Sequence, residues 1–202
     1  MPTTRPMLLL LSLACGAPAL AAPPLAANFH LGVAVAQGDF REEMGSKVGL
    51  GAGLSLTIPL TRSLALRPTC SYQAYPALDN HLTYKSTRYS DVGDETARWS
   101  AWSYGLDGLY RPAGPEGRLY LLAGAYLKAW KLHSYGTYST ADRLNATRVY
   151  TVNDTSTKNQ PAVAAGLGWT FHRRFSVELR SVLGTYQSLS YNTLEANFVL
   201  SW

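Results

Sequence analysis

The chain has 202 residues and a net charge of +5, about one domain's worth of sequence with only a small basic excess. No basic cluster is interleaved with stacking aromatics, which argues against nucleic acid as a partner. Of the two cysteines, Cys15 lies in an N-terminal apolar run and Cys70 stands alone, so no intrachain disulfide is expected. The four histidines are scattered, and neither a metal site nor a cofactor is argued.

Arg5, the apolar residues 7–15 and Ala19-Leu20-Ala21 read as the charged region, apolar region and small-residue cleavage site of a signal peptide. Residues 1–21 are therefore expected to be removed, leaving 22–202 as one exported domain. A lipoprotein reading at Cys15 is weaker, because Ser12 sits where an apolar residue is wanted. No stretch reaches the roughly 18 apolar residues of a transmembrane helix.

A strand crossing an apolar band of about 25 Å at a tilt near 40° needs about ten residues. Eight such segments use up the chain: 28–37, 47–59, 64–75, 98–111, 118–130, 161–171, 175–186 and 192–202. Their connections alternate. Residues 61–63, 113–117 and 172–174 are tight turns, whereas 38–46, 76–97 and 131–160 are longer, with a short 187–191 connection last. Short turns at one end and long loops at the other describe an up-and-down meander with both termini at the short-turn end. Pro68, inside the third segment, is expected to mark a bulge or a distorted pair.

The last segment is the sharpest. Leu194, Ala196, Phe198, Leu200 and Trp202 alternate with Thr193, Glu195, Asn197, Val199 and Ser201, and the sequence ends on the aromatic residue. This resembles the C-terminal strand of bacterial outer membrane β-barrels, where such a strand is read by the barrel assembly machinery. The whole pattern resembles the small OmpA-like, OmpX-like or opacity-type barrels. The resemblance implies an eight-stranded antiparallel transmembrane β-barrel in the outer membrane, with short periplasmic turns and longer extracellular loops. Its partners would be outer membrane lipid, lipopolysaccharide and the assembly machinery.

Assigning each strand's lipid face by its apolar residues gives sets such as Leu31, Val33 and Val35; Leu50, Leu54 and Leu56; Trp102, Tyr104 and Leu106; and Val177, Leu179 and Leu183. The mid-strand charges are an independent test of that assignment. Arg67, Asp107, Lys128, Glu178, Arg180 and Glu195 all fall on the opposite face. Arg or Lys facing lipid at the midplane costs about 2 to 4 kcal/mol, so a membrane barrel requires this segregation. The same periodicity suits a soluble periplasmic lipocalin-like binder with its apolar set inside. Long strands, rim aromatics and the terminal residue favour the membrane.

An eight-stranded lumen is only wide enough for side chains. The expected filling is His30, Arg67, Gln73, Tyr75, Asp107, Tyr120, Tyr126, Lys128, Trp130, Glu178, Arg180, Tyr186 and Glu195, a paired plug rather than a large pore. Specific function falls to the loops. Tyr84, Tyr89, Tyr135, Tyr138 and Tyr150 stand among Ser and Thr and form a candidate contact surface for an extracellular ligand. Residues 133–140 and 147–153 also alternate, so the third loop is expected to continue its hairpin beyond the membrane.

Lipid-modifying enzymes share this architecture, but His133 and Ser134 point to opposite faces, no His-x-Ser pair is present, and no catalytic residue is assigned. At the short-turn end Arg62, Arg111, Arg118, Arg173 and Arg174 outnumber Glu116, which suits contact with lipid phosphates. The expected function is structural, adhesive or protective.

Overall fold

The computed structural model describes residues 25–44, 48–85, 89–142, 147–186 and 189–202. The expected signal segment lies outside them. Strand β1 (Ala26–Gln37) leads into a short helix α1 (Asp39–Met44), then β2 (Val48–Pro59), β3 (Leu64–Ala74), β4 (Leu78–Lys85) and β5 (Tyr89–Tyr110). After a 3-10 turn at Gly114–Glu116 come β6 (Leu119–Asp142), β7 (Thr147–His172), β8 (Phe175–Tyr186), β9 (Leu189–Ser190) and β10 (Asn192–Ser201).

Every neighbouring pair is antiparallel, in the order β10, β1, β2, β3, β5, β6, β7, β8, and β8 pairs back to β10. The result is a closed barrel of eight strands, which has no edge within its wall. Closure runs to the final residue: Trp202 N donates to Ala27 O at 3.0 Å, and Ala27 N to Trp202 O at 3.2 Å. An alternating terminal strand is thus paired along both sides.

The apolar residues face outward. Leu50 is 70% exposed and Leu54 58%, while Val177, Phe198 and Trp102 stand out on their strands. Arg180 and Glu195, on the same strands as Val177 and Phe198, are buried. A soluble calyx would reverse this arrangement. Here the wall presents a continuous apolar belt, and water is no solvent for such a surface.

Three strands run well past the belt. β5, β6 and β7 have 22, 24 and 26 residues, against the roughly ten that cross an apolar band. Their outer halves, with β4, form a four-stranded antiparallel sheet in which Leu78 faces Ala97, Tyr89 faces Asp142 and Ala141 faces Thr147. The third-loop hairpin therefore continues as expected, but within residues 76–97 the segments 78–85 and 89–97 are strand and not loop. Asp79, Asn80, Gly93 and Asp94 interrupt the apolar alternation that marks a half-buried strand, yet a strand solvated on both faces needs none. At the join, Ala74 faces Ser100 and Leu78 faces Ala97, so three residues around Pro76 answer two on β5, a bulge.

Of the two outcomes expected at Pro68, the structure shows the distorted pair and not the bulge: Ser55 faces Thr69 and Ile58 faces Leu66 in one register, with the ladder interrupted between them, while Pro68 keeps its place opposite Leu106. The register shift falls instead at Thr170 to His172. Within residues 38–46, Gly38 at φ 61° turns the chain out of β1 and α1 folds across the barrel mouth.

Candidate functional site

The barrel interior is filled in three layers. In the middle, Arg67 of β3 holds two carboxylates. Its Nη2 lies 3.0 Å from Asp107 Oδ2 and 3.0 Å from Glu178 Oε2, and its Nη1 also pairs with Glu178. A second group gathers on Glu195, with Arg180 Nη2 at 2.6 Å, Lys128 Nζ at 3.0 Å and Gln73 Nε2 at 2.6 Å. The two groups meet at Tyr126, whose hydroxyl donates to Asp107 and accepts from Arg180 Nη1 at 2.9 Å. All six ionic side chains are buried. Three cations against three carboxylates leave no net charge, and the tyrosine and amide take up remaining lone pairs, the condition under which buried ions are tolerated.

Glycine makes the room. Tyr120 donates to Glu178 Oε1 at 2.6 Å, and its ring lies where a Cβ on Gly168 would stand. A cavity bounded by His30, Gly51, Gln73, Arg180 and Asn197 measures only about 10 Å³, roughly one water's worth.

Toward the short-turn end, His30 Nε2 lies 2.6 Å from Ser55 Oγ, and Asn28 Nδ2 donates to the same oxygen at 3.2 Å. Sequence reading missed this pair because its members stand 25 residues apart on adjacent strands. All three side chains are buried in the lumen.

At the opposite end an aromatic layer closes the mouth. Phe40 of α1 is 0% exposed, with its ring 4.4 Å from Trp130, 5.0 Å from Tyr191, 5.8 Å from Tyr75 and 5.9 Å from Trp99 by centroid. Lys158 donates to the Tyr191 hydroxyl at 3.3 Å and sits over the Trp99 ring at 6.0 Å. The helix is latched from below by Asp39, whose Oδ2 accepts from Ser190 N at 2.8 Å and Ser190 Oγ at 2.9 Å. These hydrogen bonds, backbone first, hold the Asp39 carboxyl below its usual range. Nothing in the sequence reading pointed to Phe40. A lone aromatic after Gly-Asp in a polar segment was the available signal.

Of the other candidates, Leu194, Ala196, Phe198 and Trp202 stand exposed on the outer face of β10, with Leu200 half-buried beside them. The loop tyrosines do not form one surface. Tyr138 and Tyr150 stack at 5.4 Å on the face that continues the lumen lining, and Tyr138 donates to Glu95 Oε2 at 2.8 Å. Burial and Glu95 push the Tyr138 phenol up to about 12. Tyr135 lies on the opposite face, under Arg98 at 5.8 Å. The side chains of Tyr84, Tyr89 and Tyr186 lie outside the described residues. So does that of His81, whereas His133 bonds Thr155 Oγ1 at 3.1 Å. At the short-turn end Arg111, Arg118 and Arg173 surround a cleft of about 550 Å³ with Glu116, Phe171 and His172. Arg62 and Arg174 are not part of its lining.

A family model described as "Outer membrane protein beta-barrel domain" matches residues 7–201. No curated protein matches the chain. Among solved structures, the chain is similar to Ail, the attachment invasion locus protein of Yersinia pestis, at 12% identity over 88% of this chain and 98% of that one, TM-score 0.45. It is similar to the N-terminal β-barrel domain of Pseudomonas aeruginosa OprF at 12% identity over 88% and 97%, TM-score 0.49. Neisserial surface protein A gives 15% identity over 90% and 99%, TM-score 0.46.

Proposed function

The chain belongs to the outer membrane β-barrel domain family and resides in the bacterial outer membrane, and we propose that it works there by display, as a sealed stave structure carrying a sheet beyond the membrane, and not as a large pore. The observation that carries this reading is the lumen. Three cations and three carboxylates neutralise one another inside the wall, with Phe40 and its aromatic neighbours above them. A path for solutes would need those pairs broken, each break leaving a buried charge at a cost of several kcal/mol. The function then rests with the outer halves of β4 to β7, in a structural, adhesive or protective role.

The outward apolar belt meets hydrocarbon, and the arginines at the short-turn end meet lipid phosphates. Leu194, Ala196, Phe198, Leu200 and Trp202 serve as the assembly signal. The His30–Ser55 pair is read as structural, since it is enclosed and its serine already accepts from Asn28. Planar bilayers test the reading directly. The purified protein should give no stable channels, and lasting conductance steps of porin size would overturn it. Lipid A profiles should be the same with and without the protein.

A further inference from the structure

The extracellular sheet has an open side. β7 is paired with β6 from Thr147 to Trp169, but β8 joins its other side only from Ala162 onward. Among the described residues no strand pairs with 147–159 on that side, so they form an edge, largely exposed along its length. The Thr155 N–H lies outside the β6 ladder and is taken by Asp154 Oδ1 at 2.8 Å. Odd-numbered residues of this stretch therefore turn their backbone groups to the open side, and even-numbered ones bond to β6. No proline interrupts residues 147–159, and seven of the thirteen are β-branched or aromatic. Such an edge is a template for another strand.

The charges on the edge say which strand fits. Arg148 and Asp154 are symmetric about Thr151. If a second copy of the same edge pairs antiparallel about that residue, Thr151 meets Thr151, Val149 meets Asn153, Tyr150 meets Val152, and Arg148 meets Asp154 twice. This register sets odd residues against odd, the pairing that the open backbone groups require. Arg148 and Asp154 lie on one face, where directly opposite side chains of unlike charge attract and like charges repel. We infer that residues 148–154 of β7 bind the same segment of a second copy, extending the two extracellular sheets into one.

The geometry also says where that copy sits. β7 descends from its outer tip into the membrane, so two copies in one membrane run the same way and cannot pair antiparallel. The antiparallel pair needs a two-fold axis in the membrane plane, which places the copies in facing membranes. From Thr151 down to the buried Gln160 is about 30 Å of strand on each side, enough to span a gap between them. The contact is therefore a tether between cells or vesicles, and the inference rests on the reading of β4 to β7 as a displayed sheet.

The test uses the full protein reconstituted in phosphatidylcholine vesicles, one population with donor lipid and one with acceptor, with tethering read by energy transfer. Wild type should tether. Vesicles all carrying Arg148→Asp, or all carrying Asp154→Arg, should lose the signal by about tenfold or more, since like charges then oppose in the pair. Mixing the two variant populations should restore it, because every acidic position then faces a basic one. Thr151→Pro, which removes only an N–H on the open side, should abolish tethering while heat-modifiable gel mobility still reports a folded barrel. Absence of wild-type tethering, or single variants that tether as well as wild type, would overturn the inference. Labelling of Thr151→Cys on intact cells, in a Cys70→Ser background, separates the two failures. A labelled site without tethering sinks the self-pairing alone, and an unlabelled one sinks the display reading beneath it.

Discussion

Arg180 of β8 and Glu195 of β10 are direct cross-strand partners, with Arg180 Nη2 2.6 Å from Glu195 Oε2, deep inside a wall whose other face is apolar. The pair lies where the final strand closes the ring, so the ionic contact and the closure of the barrel are one event. Lys128 reaches the same carboxylate from across the lumen, at 3.0 Å.

Glu195→Gln leaves Arg180 and Lys128 facing each other without their shared counter-charge. The expected loss is about 3 to 5 kcal/mol, measured by urea unfolding in lipid. Replacing all three by apolar residues of similar volume should cost less than the single change. Equal stability of Glu195→Gln and wild type would contradict the network.

Phe40→Ala should leave the ring of strands intact and release the lid. Removing a fully buried phenylalanine costs about 3 to 5 kcal/mol where the site cannot collapse, and here that loss falls on the docking of α1. Trp99 and Trp130 should shift their emission to the red, and amides of α1 should exchange faster, with the thermal midpoint of the barrel little changed.

The latch at Asp39 has a defined pH sense. Its folded pKa is depressed by hydrogen bonds from Ser190, so the stability it lends is fully present above the ordinary carboxylate range and is lost as pH falls through the lowered value. Exchange of the Ser190 amide should therefore quicken only on strong acidification. In Asp39→Asn that acid dependence should vanish.

Gly168→Ala puts a methyl group where the Tyr120 ring lies. The ring must leave Glu178, and overpacking of this kind typically costs about 1 to 3 kcal/mol. Gly168→Ala combined with Tyr120→Ala should be less destabilised than the sum of the two single changes.

Much of this was legible in the sequence. The barrel wall was readable because lipid and lumen impose opposite demands on alternate residues, so Leu54 against Ser55, or Val177 against Glu178, declares its face at once. The six lumen charges followed by the same rule. Which charge pairs with which was not readable, since Arg67 and Glu178 are 111 residues apart and meet only across the closed ring. Beyond the membrane the rule lapses. Water on both faces removes the apolar alternation, so nothing in the residue pattern marks β4 and the outer half of β5 as strand. The aromatic lid is hidden for another reason: α1 is a six-residue helix in a polar segment, and only the ring of rings around Phe40 gives that residue a role.

The most direct test of the account is the accessibility of single nitroxide labels along β10 in lipid, introduced as Thr193→Cys through Val199→Cys in a Cys70→Ser background. Labels at positions 194, 196 and 198 should be open to dissolved oxygen and closed to a water-soluble nickel complex, and those at 193, 195, 197 and 199 should be shielded from both. Odd positions open to the nickel complex, with even positions shielded from oxygen, would contradict it.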